Sequence, residues 1–384
     1  MLETIKFILN HKDNWRELLK ESPYYLSINE DNDYAILKYN QLESDFNEAI
    51  CKECRGLVID LHTFEPVALS FFKFFNYQEP LADHIFWKDC RVQEKVDGSK
   101  ILVWFDKYHG TWEVSTSGQL NAYEAKVMDF GITFGELFDE AVKRYFPNMS
   151  SFFELLREES CYTFELVSPE SRVVIRYEQP DIYFTGLRDV KSFAECDPDN
   201  SILVKYIKRP KEFPLTNINQ CIEAASKMNL DQEGFVVVDC YWRRIKIKSP
   251  MYVSAHFLRN NGNVSKSKIL EIIEKGEQSE FLGYFPEYRK YFDEVENKLK
   301  NYQLDLAKAI EDIKDRVYLN TFLTEKWERK DFAKYINTNY KEYSSFLFNY
   351  LDANLIDLFI KDQWSKLTQN DKMKRLGFKE TKKD

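Results

Sequence analysis

Glycine and proline are scarce in this chain, 12 and 11 among 384 residues, which argues against long disordered or low-complexity segments. No repeat period is visible, and no run approaches the length of an apolar membrane span. The opening residues, Met1 to Asn10, carry Glu3 and a short amphipathic run of Ile5, Ile8 and Leu9, without the basic start and apolar stretch of a signal peptide. Cysteine is odd in number, seven residues spread from Cys51 to Cys240, which does not suit a disulfide framework, so a cytoplasmic, reducing location is expected. Cys51 and Cys54 form a C-x-x-C, but no second pair or nearby histidine completes a tetrahedral zinc site, and two small half-buried residues are the plainer reading. The five histidines, His11, His62, His84, His109 and His256, fall in no triad-like string, so hydrolase chemistry has little support. Excess positive charge is missing too. The net charge of −9 speaks against broad nonspecific nucleic-acid binding.

What is present is the composition of a globular protein, 44% hydrophobic and 30% charged, long enough for two domains. The charge is uneven: residues 260–384 hold 23 basic and 22 acidic side chains, whereas residues 1–259 hold 31 and 41. Any site for a polyanion in the first part must therefore be a local cluster.

From about residue 55 to 250 the pattern alternates with period two: Gly56–Asp60, Arg91–Val96, Ile101–Phe105, Thr111–Thr116, Tyr162–Val167, Ile182–Leu187, Phe235–Cys240 and Arg244–Lys248. This predicts a sheet-rich α+β domain over residues 1–254. Lys95-Val96-Asp97-Gly98-Ser99 lies between two of these runs, and an Asp-Gly so flanked predicts a hairpin with Lys95 at its strand end. After about residue 255 the period becomes 3.6. Ile269, Leu270, Ile272 and Ile273 predict a short helix closed by Gly276. Tyr288, Tyr291, Phe292, Val295, Leu299, Tyr302, Leu306 and Ile313 predict a long amphipathic helix behind Pro286. Phe346, Leu347, Tyr350, Leu351, Leu355, Leu358 and Phe359 predict another. Residues 255–384 are thus expected to form an all-helical domain whose aromatics are core. The tail from Lys361, with eight basic and four acidic residues, is a solvated end or a weak RNA contact.

The Lys95 string alone is only moderately specific. It is followed in order by Phe164-Glu165-Leu166-Val167, Gln232-Glu233-Gly234-Phe235-Val236-Val237 and Arg244-Ile245-Lys246-Ile247-Lys248. Strand alternation puts Arg244, Lys246 and Lys248 on one face, where three cations repel unless something anionic lies opposite; a polyphosphate fits. A solvated edge strand kept soluble by lysines is the plain alternative. Glu165 and Glu233 each sit in an apolar run, where an ionised carboxylate is costly unless paired. They either pair with a lysine or hold a ribose hydroxyl or water around Mg²⁺, a hard cation that prefers carboxylate and water oxygens.

This ordered set resembles the nucleotidyltransferase motifs of covalent nucleic-acid ligases and capping enzymes. Two upstream strings, Glu53-Cys54-Arg55-Gly56 and Lys73-Phe74-Phe75-Asn76, narrow the resemblance to the phage-type RNA ligase 1 family. Ser168-Pro169 through Arg172-Val173-Val174, Leu187-Arg188 and Ser249 through Tyr252-Val253-Ser254 add to it, over roughly residues 34–258. Beyond that the likeness is loose, with an echo at Arg329-Lys330-Asp331-Phe332-Ala333. The resemblance implies an antiparallel-sheet-rich nucleotidyltransferase (ATP-grasp-like ligase) domain over 1–254, followed by a helical domain over 255–384 that selects the RNA substrate. It also implies three steps: AMP passes from ATP to Lys95, then to an RNA 5′-phosphate, and a 3′-hydroxyl then displaces AMP.

By the same resemblance, Arg55 and Lys73 contact the phosphates of ATP, and Phe75 packs near the nucleotide. Tyr39 lines the site, Asp97 and Gly98 belong to the nucleotide-binding string, and Tyr252 assists at the phosphates. Glu165 and Glu233 serve the ribose and the metal, Mg²⁺ or alternatively Mn²⁺. Lys246 and Lys248 hold the α-phosphate, and with Arg244 and the metal they disfavour the Lys95 ammonium, which has no lone pair with which to attack. RNA with 5′-phosphate and 3′-hydroxyl ends, broken tRNA included, is the implied partner, in the cell's cytoplasm or a viral host's; no membrane is involved. One departure stands out: where such enzymes often place a basic residue before a glycine, this chain has Ser117-Gly118. Either another lysine compensates or one step is slow. Rival readings are a DNA ligase or GTP-dependent capping enzyme, whose usual β-barrel module the helical C-terminal pattern disfavours, and a non-catalytic RNA-binding relative, which the intact motif set disfavours.

Overall fold

The computed structural model describes residues 1–127, 130–257, 265–322, 329–350 and 356–378. The chain divides into two compact units. The first comprises Met1–Gly262 and Ser279–Tyr284; the second comprises Asn263–Gln278 and Phe285–Asp384.

The first unit is mixed α+β with three sheets. One has the strand order Ser27–Glu30, Tyr34–Lys38, Arg55–Asp60, Pro66–Ala68. The second has the order Glu195–Cys196, Asp181–Asp189, Ser160–Val167, Ser99–Asp106, Thr111–Ser115. The third has the order Glu212–Phe213, Arg91–Glu94, Gly234–Val238, Arg244–Lys248, Phe75–Asn76, in which only the last pair is parallel. Runs such as Tyr34-Ala35-Ile36-Leu37 are apolar throughout because both faces of the strand are covered. Ala35, Leu37, Leu57 and Ile59 face the helices Glu3–Asn10 and Trp15–Lys20, through Ile5, Ile8, Trp15 and Leu19. Tyr34, Ile36 and Val58 face the opposite way and meet Leu102 and Trp104 of the second sheet. Ile101 and Val103 of that strand turn to a third layer, the helix Phe134–Val142. The third sheet is covered by the helix Ile218–Ser226 through Cys221 and Ala225.

Glu53, part of one of the family strings, has a structural task. Its buried carboxylate accepts the main-chain N–H groups of Glu3 and Thr4 at 2.9 and 2.8 Å and the Thr4 hydroxyl at 2.7 Å. It thereby satisfies donors that the first helix cannot pair internally and complements the positive end of the helix dipole.

The predicted hairpin at Asp97-Gly98 is not formed. Both flanking strands exist, but Arg91–Glu94 belongs to the third sheet and Ser99–Asp106 to the second, so the segment crosses between sheets. The close approach explains the glycine: a Cβ on Gly98 would lie 2.4 Å from the carbonyl oxygen of Leu166.

The second unit is helical among its described residues. Ser265 caps the helix Lys266–Glu274 by accepting from the N–H of Lys268, and Gly276 leaves it at φ +66°. The long helix runs Arg289–Phe322, 34 residues or roughly 50 Å, after a 3₁₀ turn Pro286–Tyr288 that takes up the expected helix-start proline. Phe292, Val295, Tyr302, Leu306 and Ile313 are buried as the pattern predicts, joined by Ala309 and Ile310, whereas Tyr291 is 50% exposed. In the last apolar stretch Ser344–Tyr350 and Ile356–Ser365 are helical as expected, and Leu351 and Leu355 lie outside the described residues. No helix among the described residues is long and apolar enough to cross a membrane.

Candidate active site

The crossing segment is fixed on both sides. The Lys95 N–H donates to the carbonyl of Gly234 at 2.9 Å. The Asp97 carboxylate accepts from the N–H groups of Val174 and Ile175 at 2.9 and 2.7 Å and from the Tyr252 hydroxyl at 2.8 Å. Asp97 and Tyr252 therefore bind each other in a buried brace that sets where Lys95 begins. From there the Lys95 ammonium reaches Glu233 Oε2 at 2.8 Å. Glu233 is 3% exposed and precedes Gly234, whose φ of +142° and contact with the Ile247 carbonyl admit no side chain.

The strand Arg244–Lys248 alternates as expected, with Ile245 and Ile247 in the core of the third sheet. Its three cations do not act together, however. Arg244 is bound by Glu195 at 2.6 Å and stacks on Phe71 at 4.1 Å, so its charge is neutralised away from Lys95. Lys246 lies over Phe74 at 5.2 Å, and burial, then Lys73 and Lys248, lower its pKa well below the ordinary lysine range. Lys248 is 3.6 Å from Glu233 Oε1 and pairs with Glu280.

Lys73 occupies an aromatic box, 4.7 Å from the rings of both Tyr39 and Phe46 and 5.6 Å from Phe75. It also donates to Gln41 Oε1 at 2.9 Å. Burial would raise the Tyr39 pKa, but Arg55 and Lys73 outweigh it and lower it. Arg55 packs over Phe74 at 4.9 Å, and its Nη1 is buried with no hydrogen-bond partner among the described residues. A buried guanidinium nitrogen left in that state is costly and marks a place where an anion would bind.

Glu165 lies opposite Lys100 across two neighbouring strands. Burial pushes its carboxyl up to about 7; Lys95 pulls against this, and Glu233 adds to it. An acid raised in this way favours the folded state fully below its unfolded pKa, and that contribution is lost as pH rises to about 7. Glu165→Gln should therefore gain melting temperature relative to the parent as pH goes from 5 to 8. A difference in melting temperature that stays flat across this range would show that Glu165 ionises normally.

Two cations escaped the sequence reading. Lys100 donates to Ser70 Oγ at 2.8 Å and to the carbonyl of Arg55, and burial followed by Arg55 pushes its ammonium pKa well down. Lys38 faces Arg55 directly, because a bulge at Gly56, φ +82°, shifts the register of the two strands. The Lys38 side chain also lies against Gly118: a Cβ there would meet its Nζ at 3.5 Å. Lys100 stands five residues after Lys95, a spacing that could have flagged it. Nothing in the sequence linked Lys38 to Ser117-Gly118.

Of the residues expected at the site, Lys95, Glu165, Glu233, Lys246, Lys248, Arg55, Lys73, Tyr39 and Phe75 are thus linked through neighbouring contacts. The profile of the RNA ligase family, T4 type 1, matches residues 53–252. The chain belongs to this RNA ligase family. An Autographa californica nuclear polyhedrosis virus protein named a bifunctional polynucleotide kinase/RNA ligase is 31% identical over 67% of this chain and 38% of its own length. An RNA ligase of Rhodothermus phage RM378 is 24% identical over 66% of this chain and 65% of its own. The chain thus spans less than two thirds of either relative. Among solved structures, an archaeal ATP-dependent RNA ligase aligns over 75% of this chain and 78% of its own, with 13% identity and a TM-score of 0.46.

Proposed function

We propose that this chain is an ATP-dependent RNA ligase that takes AMP from ATP onto Lys95 and uses it to join a 5′-phosphate to a 3′-hydroxyl, with broken tRNA among its substrates. The observation that carries the reading is the company Lys95 keeps. Lys246, whose charge burial, Lys73 and Lys248 disfavour, and Arg55, with one buried guanidinium nitrogen lacking a hydrogen-bond partner among the described residues, stand with Lys73 and Lys248 near an amine that Glu233 holds in place.

In the first step the Lys95 amine attacks the α-phosphorus; an N–P bond forms, the bond to the β-phosphate oxygen breaks, and pyrophosphate leaves. The ammonium must first lose a proton, and Glu233 Oε2 is the acceptor already hydrogen-bonded to it. Lys246 and Lys248 stabilise negative charge on the transferring phosphoryl group, and Arg55 and Lys73 the outer phosphates. Tyr39, Phe46 and Phe75 keep Lys73 in place and give the base an apolar surface. The Asp97–Tyr252 brace fixes the main chain at the nucleophile. AMP then passes to the RNA 5′-phosphate, and the 3′-hydroxyl displaces it.

A divalent ion suits this site: Glu233 adds to the cost of ionising Glu165, and a cation beside the two carboxylates would relieve it. Two carboxylates with phosphate and water oxygens are the kind of donor set Mg²⁺ takes, with Mn²⁺ as the alternative. The ion would neutralise phosphate charge there. The helical residues after Tyr284 are assigned to choosing structured RNA.

Lys38 supplies beside Gly118 the charge that Ser117 lacks. Lys38→Ala should slow adduct formation by about tenfold or more, and Ser117→Lys in that background should restore much of it. Full rates in Lys38→Ala would leave the gap at Ser117 uncompensated. The reading as a whole is tested by incubating the chain with ATP, Mg²⁺ and RNA bearing 5′-phosphate and 3′-hydroxyl ends. Joined product is expected, and its absence alongside an intact fold would refute ligation.

A further inference from the structure

Lys248 is held at two points by residues beyond the stretch matched to the family. The Tyr284 hydroxyl accepts its main-chain N–H at 2.6 Å, and the Glu280 carboxylate pairs with its ammonium. Both residues belong to Ser279–Tyr284, which packs with the first unit. The contact is well covered, with the Glu280 side chain 17% exposed and that of Lys248 12%. Burial would push the Glu280 carboxyl up, but Lys248 and then Lys246 outweigh it and hold it down at about 2, so Glu280 is ionised at neutral pH.

Lys248 has a second carboxylate within reach, Glu233 Oε1 at 3.6 Å, while Glu233 Oε2 takes Lys95 at 2.8 Å. The closer partner keeps Lys248 from collapsing onto the other. Without Glu280, Lys248 and Lys95 would share Glu233. We infer that Glu280 is a positioning residue of the nucleotidyl transfer: it holds Lys248 off Glu233, so that Glu233 serves Lys95 and Lys248 stays directed at the phosphate. Tyr284 does the same for the main chain. This extends the working site past Tyr252 to a segment about thirty residues downstream, and it rests on the ligase reading above.

The test uses the full chain and measures AMP adduct formation against ATP concentration. Glu280→Gln should lower the rate at saturating ATP on the order of tenfold to a hundredfold, as misplacement of a catalytic group does. KM should change little, because Lys248 would be misdirected rather than lost. Glu280→Asp should recover part of the rate. In a Lys248→Ala background Glu280→Gln should add nothing further, since it acts through Lys248. If Glu280→Gln fails to fold, Tyr284→Phe, which removes one hydroxyl and no charge, should show the same rate loss on a smaller scale. A folded Glu280→Gln protein that labels at the parent's rate would overturn the inference. So would a lower KM with an undiminished rate, which would make Glu280 a competitor of phosphate. A folded parent that takes up no AMP would instead sink the ligase reading before any variant was compared.

Discussion

Lys95→Ala should abolish transfer of AMP from ATP to the chain, while sealing of an RNA strand supplied already adenylylated should remain measurable. The asymmetry follows from which steps need the amine. In the proposed reaction, forming the phosphoramidate and passing AMP to the 5′-phosphate both run through Nζ, whereas the last step is attack by a 3′-hydroxyl on an activated strand. The substitution is also mild for the fold. Lys95 is fixed by its main-chain N–H to Gly234, and the neighbouring Asp97 brace does not involve its side chain. Glu233 loses its closest cation but keeps Lys248 at 3.6 Å. Labelling of Lys95→Ala from ATP would remove Lys95 as the nucleophile.

Lys246→Ala and Lys248→Ala should each slow adduct formation by about a hundredfold or more, the usual loss when one group that stabilises transition-state charge is removed. Lys227→Ala, at a lysine 71% exposed beside helix Ile218–Ser226, should leave the rate unchanged. Lys246 offers a sharper contrast. Burial, Lys73 and Lys248 all disfavour its charge in the free protein, so it is kept at a cost to stability that a phosphate would relieve. Lys246→Met should melt no lower than the parent yet label poorly, separating activity from stability. Normal labelling in both lysine variants would remove Lys246 and Lys248 from the transfer, because a strand paired on both sides is no solvated edge.

Much of the candidate site was legible because its residues lie in short strings whose order is informative. Lys95, Glu165, Glu233, Lys246 and Lys248 each sit at or beside a strand, and period-two patterning found those strands. The patterning could not say which sheet each strand joins, so Asp97-Gly98 read as a hairpin when the chain passes from one sheet to another. Nor could it show where charge is neutralised. Arg244 has the same parity as Lys246 and Lys248, but Glu195, far away in sequence, takes its charge. The box around Lys73 needs Phe46, Tyr39 and Phe75 from three separate segments. Lys38 and Glu280 reach the site only through a strand bulge and a returning helix, and neither leaves a local pattern. The helical region was legible as helices because its apolar stripe is long, although Tyr291 shows that a residue at the right spacing can still face water.

Intact mass measurement of the full chain after incubation with ATP and Mg²⁺, followed by peptide mapping of the product, tests the proposed covalent intermediate on Lys95. One added AMP is expected, carried on the peptide that contains Lys95 and absent when ATP is withheld. An unchanged mass in a folded protein, or an AMP mapped to any other residue, would contradict it.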